Sequence, residues 1–174
     1  PSLMKDMPYD PLKDLAPVGL LNTAPMVLVA RPGLEAQTFS DFVKLAKAKP
    51  GKYNYATSGV GTVLQLAMEL LKERSGIFVT HVPYRGGAPL LNALLANEAQ
   101  FALDNLAPFL PHIQMGKMRA LAVAAPSRLD TLPDIPTFAE LGYPVLNSMS
   151  WIGLAAPAGT PPDIVQKLLT AVQT

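Results

Sequence analysis

The chain has 174 residues, which is enough for one ordinary domain or two small lobes. Hydrophobic residues make up 49% and charged residues 16%, a composition that excludes an extended disordered chain. The net charge of +1 comes without a basic stripe, which argues against a large nucleic-acid-binding surface. The absence of cysteine excludes zinc ribbons, thiol catalysis and disulfide scaffolds.

Strand and helix signals alternate along the first half of the chain. Short apolar runs bounded by prolines and glycines predict strands, and apolar residues at helical spacing predict helices. Thr38 and Thr62 stand where helix N-caps are expected. In chain order the predictions are strands at 18–21 and 26–30, a helix from Thr38 to Pro50, a strand at 53–56 and a helix from Thr62 to about Gly76.

The same alternation continues in the second half. It predicts a strand at 78–82, a helix around 90–95, a strand at 100–103 and a helix at 108–115. A strand at 118–124, a short helix at 137–141, a strand at 151–155 and a helix at 161–172 follow. Strands separated by helices indicate right-handed crossovers, a mostly parallel sheet and the α/β class.

Proline and glycine punctuation suggests where two lobes meet. Hinges are expected near 31–33 and 143–144, where a strand ends or begins. We therefore predict a central lobe at 33–145, flanked by residues 1–32 and 146–174 as two pieces of another lobe.

The strongest local feature is the glycine turn at 57–61, which follows a predicted strand and leads into a helix. Backbone N–H groups at a helix N-terminus are unpaired and the helix dipole favours an anion there. These amides are therefore expected to face a cavity and receive a carboxylate or phosphate, with Thr57, Ser58 and Thr62 adding hydroxyl donors. The alternative is a tight turn in which Ser58 or Thr62 caps the helix.

Two further features follow neighbouring strands. At 83–87, Gly86 and Gly87 permit close backbone approach, and Arg85 is either a positive charge for a ligand or a solvated loop residue. Asp104 ends a strand and could pair with a ligand amine or cap the following helix. Ligands of open α/β sheets bind beyond the carboxyl ends of the strands, so the three features are expected at one edge.

Known phosphate, metal and catalytic patterns are missing. Leu64 stands where a dinucleotide fingerprint needs Gly or Ala, and Thr62 stands where a Walker loop needs Lys. His81 and His112 lie in strand and helix patterns without metal-site spacing, so a core or surface role is favoured for both. Trp151 begins a strand and is interpreted as a core residue, with a ligand platform as the alternative if it lies near a cleft. No metal, cofactor or catalytic residue is predicted.

Several modest motifs occur in one order along the chain. They are Pro8–Val18, Tyr53–Thr62, His81–Ala88, Gly116–Val123, Leu132–Thr137, Glu140–Gly142 and Trp151–Pro161. In this order they resemble the Bug (TctC-like) family of bacterial periplasmic solute receptors, which is associated with tripartite tricarboxylate transporters. The resemblance extends over essentially the whole chain.

The resemblance implies a periplasmic-binding-protein-like (type II) fold with two lobes that close on a small carboxylated solute. It implies a periplasmic location after removal of an upstream signal, transporter subunits in the membrane as partners, and no nucleic acid. The positions that match the family's ligand loops are Thr57, Ser58, Gly61, Thr62, Gly86, Gly87, Ala88 and Asp104.

Family members are considerably longer than this chain. Their glycine-rich ligand loop near the N-terminus has no counterpart before Pro8, and the sequence stops in the helix after Pro161. An incomplete fragment with half of a closed site is therefore expected, and exposed sheet edges could promote self-association. The competing functions are the ligand-sensing domain of a transcriptional regulator and an enzyme of the same layout, both ranked behind the receptor.

Overall fold

The structure is a computed structural model that describes residues 6–173. The described chain divides into two compact units, one of which is Ala24–Ser150, while the other comprises the residues before and after it. The strands are β1 (Leu15–Ala24), β2 (Met26–Ala30), β3 (Asn54–Thr57), β4 (Thr80–Pro83), β5 (Phe101–Asn105), β6 (Arg119–Ala124) and β7 (Ser150–Pro157). The α-helices are α1 (Phe39–Ala48), α2 (Val63–Ser75), α3 (Gly87–Leu95), α4 (Leu106–Gln114) and α5 (Pro162–Gln173).

The larger unit is built on a five-stranded sheet with the order β4-β3-β5-β2-β6. Strand β3 pairs in parallel with β4 and β5, whereas β2 pairs antiparallel with β5 and β6. Four strands therefore run in one direction and β2 runs against them. The α/β prediction is confirmed, and the sheet is mixed because of this one reversed strand.

The compact unit begins at Ala24 and not at residue 33, because β2 lies inside the sheet between β5 and β6. All five residues of β2 are buried. Met26 and Leu28 pack with α1 and α2 on one face, and Val27 and Val29 pack with α3 and α4 on the other. This alternation follows the two-residue period of a strand and explains why the run is apolar throughout.

Helix α1 begins with the predicted cap. The Thr38 hydroxyl oxygen accepts a hydrogen bond from the Asp41 amide at 3.1 Å, and Asp41 Oδ2 accepts one from the Thr38 amide at 2.9 Å. The Thr38 hydroxyl also donates to Asp41 Oδ2, and this bond is the largest cause that lowers the pKa of Asp41. The pair forms a capping box with Asp in place of the usual Glu or Gln.

The short helix predicted at 137–141 is a single hydrogen-bonded turn. The Leu141 amide donates to the Thr137 carbonyl at 3.2 Å, but Gly142 has φ +89°, which ends the helical path. A 3₁₀ turn at Pro144–Leu146 follows. The local sequence therefore starts a helix that the next residues cannot continue.

The smaller unit contains a two-stranded sheet of β1 and β7, together with α5. Trp151 is 66% exposed, so its interpretation as a core residue is wrong. Leu20, Leu21 and Ile152 of the same sheet are exposed as well. In the described part of the chain, no helix has the length and apolar character needed to cross a bilayer.

Candidate functional site

Three helices begin at one edge of the five-stranded sheet. Strands β3, β4 and β5 run in the same direction, and each leads into the next helix, α2, α3 or α4. The carboxyl ends of these strands and the first turns of the three helices therefore share an edge. The first turn of a helix has amides without intrahelical partners and carries a partial positive charge. This edge is suited to a negative group.

The loop between β3 and α2, residues 58–62, is hydrogen-bonded to both neighbouring connections. The Ser58 amide donates to Asp104 Oδ2 at 2.9 Å, and the Gly86 amide donates to the Ser58 carbonyl at 3.3 Å. The Tyr84 amide donates to the Thr57 carbonyl at 2.9 Å. The three features that the sequence placed at one edge are thus in direct contact.

Asp104 ties this loop to the start of α4. Its side chain is buried, and Oδ1 accepts from the Asn105 amide at 2.7 Å while Oδ2 accepts from Ser58. The N-cap of α4 is Asn105, so Asp104 does not cap the first turn of that helix in the usual way. Burial raises the pKa of Asp104, although hydrogen bonds from Ser58 and Asn105 act to lower it.

Thr62 is the N-cap of α2, and its hydroxyl is used within the loop. The hydroxyl oxygen accepts from the Gln65 amide at 3.3 Å, and the hydroxyl donates to the Gly59 carbonyl at 3.1 Å. The Gly61 amide donates to Gln65 Oε1 at 2.6 Å. The tight turn and the cap, weighed as the alternative, are therefore both present.

The expectation of unpaired amides at this helix start is wrong for Ser58 and Gly61, whose amides have acceptors inside the protein. Within residues 6–173, the amides of Val63 and Leu64 in the first turn of α2 have no hydrogen-bond acceptor. The donors available to a guest are thus further along the helix than the sequence suggested.

Behind the loop, His81 connects Thr57 to Gln65. Thr57 is fully buried, and its Oγ1 lies 2.8 Å from His81 Nε2 and 3.0 Å from the Gly59 carbonyl oxygen. Gln65 Nε2 lies 3.1 Å from His81 Nδ1. Burial lowers the pKa of His81. His81 is thus a supporting residue of the loop, which the sequence interpretation as a core or surface residue did not identify.

One sequence signal could have identified this support. Thr62 and Gln65 have the spacing of a capping box, in which the N3 Gln bonds back to the start of the helix. Here Gln65 bonds to the amide of Gly61, one residue earlier, and its second polar atom reaches His81. The capping-box spacing could be recognised in the sequence. The contact with His81 could not, because it depends on the pairing of β3 with β4.

A charged cluster lies beside His81. Tyr55 stacks on the imidazole with ring centroids 4.8 Å apart and donates from its hydroxyl to Glu69 Oε1. Lys72 Nζ lies 2.7 Å from Glu69 Oε2. Burial acts to raise the pKa of Glu69, but the hydrogen bonds from Lys72 and Tyr55 outweigh it and hold that pKa below its usual value. Burial also raises the pKa of the Tyr55 hydroxyl.

The second glycine turn leads into α3. Gly86 is the N-cap with φ +103°, a conformation that favours glycine, and it has no side-chain cap. Gly87 is half-buried, and a Cβ there would lie 3.8 Å from Cγ of Pro108 in α4. Ala88 is exposed, and so is Arg85, as its interpretation as a solvated loop residue predicts.

A cavity of about 390 Å³ lies at the opposite edge of the sheet, where β2 ends and β6 begins. Arg31 and Arg119 are among its lining residues, and none of the predicted site residues is. Among the described residues, no group of three or more His, Asp or Glu side chains is placed to hold a metal ion.

Known proteins match the sequence over nearly its whole length. The family model described as "Tripartite tricarboxylate transporter family receptor" matches residues 1–174. Protein BugT of Bordetella pertussis is 36% identical over 164 residues, which are 94% of this chain and 50% of that protein. The chain thus spans about half the length of this curated relative.

Two solved structures have the same fold over nearly the whole chain. A structure described as a periplasmic transporter is 43% identical with a TM-score of 0.91, and the match covers 97% of this chain and 56% of that one. MatC from Rhodopseudomonas palustris, solved with bound malate, is 34% identical with a TM-score of 0.89. That match covers 99% of this chain and 58% of MatC.

Proposed function

Because the chain belongs to the tripartite tricarboxylate transporter receptor family, we propose that it forms part of a periplasmic receptor that captures a small carboxylated solute. The observation that carries the proposal is the convergence of the first turns of α2, α3 and α4 on loop 58–62 and Asp104. Partial positive charge and unpaired amides at one edge favour a carboxylate over a neutral group.

The eight predicted site residues divide into two roles in this proposal. The amides of Gly87 and Ala88 are proposed to bind the solute together with the open amides of Val63 and Leu64. The remaining six shape the site, because their amide, hydroxyl or carboxylate groups are already bonded within the protein: Thr57, Ser58, Gly61, Thr62, Gly86 and Asp104.

Asp104 limits which carboxylates fit. Its own carboxylate occupies the Ser58 and Asn105 amides, so a solute carboxylate placed beside it would be repelled. We propose that the solute carboxylate lies on the α2 and α3 side of the loop, away from Asp104. A solute that also carries an ammonium group would have a partner in Asp104.

We propose binding without catalysis. The polar side chains at this edge are bonded to one another, with Asp104 on Ser58 and His81 between Thr57 and Gln65. Neither group is left to act as an acid, a base or a nucleophile on a bound solute. The family match favours a receptor over the ligand-sensing domain of a transcriptional regulator.

The proposed partners are the membrane subunits of a tripartite tricarboxylate-type transporter. Self-association of the chain is a further proposal, supported by exposed apolar side chains in the smaller unit. They are Leu20, Leu21, Trp151, Ile152, Ile164 and Leu168.

The function is tested by titrating the protein with malate, the solute bound by its relative MatC. We expect saturable one-to-one binding by calorimetry, and about 2.7 kcal/mol of stabilisation at a malate concentration of about 100 times Kd. The diamide of malate is the control, because it has nearly the same shape without the charge. Equal binding of malate and its diamide, or no stabilisation by any small dicarboxylate, would contradict the proposal.

A further inference from the structure

We propose that His81 and Gln65 are positioning residues of the carboxylate site, and that solute affinity falls when His81 is protonated. Their hydrogen bonds fix the shape of loop 58–62 only while the imidazole is neutral and carries its proton on Nε2. This inference rests on the proposed function and adds a pH dependence to it.

In each of these hydrogen bonds, the donor and the acceptor can be assigned from the chemistry of the two groups that the bond joins. The Gly61 amide can only donate, so the oxygen of Gln65 accepts from it at 2.6 Å. The Gln65 nitrogen therefore faces His81 Nδ1 at 3.1 Å, and because that nitrogen can only donate, Nδ1 carries no proton. The proton of a neutral imidazole is then on Nε2, which donates to Thr57 Oγ1 at 2.8 Å.

The hydrogen bonds on the Nε2 side of His81 lead back to the same loop. Thr57 Oγ1 accepts from His81, so its own proton is directed to the Gly59 carbonyl at 3.0 Å. Two backbone groups of the loop, the Gly59 carbonyl and the Gly61 amide, are thus linked by a series of hydrogen bonds. The series runs through the side chains of Thr57, His81 and Gln65. Gly61 has φ +74°, so the loop makes a sharp turn between the points that are held.

Protonation of His81 creates a conflict that the loop must relieve. An imidazolium donates from both nitrogens, so Nδ1–H would face the NH₂ group of Gln65. Rotation of the Gln65 amide by 180° would satisfy His81 but turn the NH₂ group towards the Gly61 amide. Either arrangement sets two donors against each other, so Gln65 loses its hydrogen bond to His81 or its hydrogen bond to the Gly61 amide.

The groups around His81 fix the direction of the pH effect. The imidazole lies on β4, an edge strand, with Tyr55 stacked on it from β3 and with Glu69 and Lys72 of α2 nearby. Burial lowers the pKa of His81; the Glu69 charge raises it and the Lys72 charge lowers it. The folded pKa lies below the ordinary 6.5, so the loop is intact at neutral pH and loosens only in the acidic range.

The test compares the native protein with the variant Gln65→Glu, titrated with malate by calorimetry. A glutamate carboxylate accepts from the Gly61 amide and also from a protonated Nδ1, so it removes the conflict. Between about pH 7.5 and about pH 5, we expect the affinity of the native protein to fall about tenfold more than that of Gln65→Glu. Protonation of malate itself affects both proteins equally and cancels in this comparison.

A second readout needs no solute. Nitrogen NMR of His81 is expected to report the Nε2–H tautomer at neutral pH, with His112 as the internal reference. The Gly61 amide signal is expected to shift with the titration of His81 in the native protein but not in Gln65→Glu. An Nδ1–H tautomer, or a Gly61 signal indifferent to that titration, would overturn the inference. If malate fails to bind at neutral pH while both NMR results hold, the proposed function is wrong. The role of His81 and Gln65 in fixing the shape of loop 58–62 then still stands.

Discussion

Replacing Phe42 with alanine is expected to lower the free energy of unfolding by about 3–5 kcal/mol. The ring is fully buried in α1, and its centroid lies 4.6 Å from that of Phe101 in β5 and 6.0 Å from that of Phe39. Truncation therefore leaves a cavity between the helix and the sheet and removes an aromatic contact. Urea denaturation followed by circular dichroism measures the loss.

Lys44→Ala on the exposed side of the same helix is the matched control. It removes a surface side chain without opening the core, and a change within about 0.5 kcal/mol is expected. Similar losses for the two variants would mean that α1 does not pack against the sheet through Phe42.

Gly61→Val is expected to weaken malate binding about tenfold and to lower the free energy of unfolding by about 1–2 kcal/mol. Gly61 has φ +74°, a conformation that a β-branched residue avoids. The strain either remains in the folded state or moves the loop away from the geometry in which the Gly61 amide meets Gln65. Calorimetry and urea denaturation measure the two effects.

Gly61→Asn tests whether the backbone conformation is the cause. Asparagine adopts positive φ more readily than other residues with a side chain, so most of the affinity and stability should be retained. An equal loss of affinity and stability in both variants would mean that any side chain at position 61 is harmful. The positive φ angle would then not be the cause.

Local features of the fold could be predicted from the sequence because they depend on neighbouring residues. Thr38 caps α1 with Asp41, and Gly76 ends α2 with φ +64°, as the pattern indicated. The reversed direction of β2 could not be predicted, because both parallel and antiparallel pairing accept a continuous apolar run. The exposure of Trp151 could not be predicted either, because a strand pattern does not show which face of the strand is covered by other residues.

The candidate site was predictable to a similar degree. Placing Asp104 and the glycine turns at one edge required only that consecutive strand-helix units run in parallel. The bond from Ser58 to Asp104 and the reach of Gln65 to His81 depend on which strands are neighbours, and that information is absent from any local window. The sequence therefore identified the edge but not which of its amides are already bonded.

The central claim is that the first turns of α2 and α3 bind a carboxylate, and amide NMR during a malate titration tests it most directly. We expect saturable shifts at Val63, Leu64, Gly87 and Ala88 that the malate diamide does not produce. Saturable shifts confined to the opposite edge of the sheet, around Arg31 and its cavity, would contradict the claim.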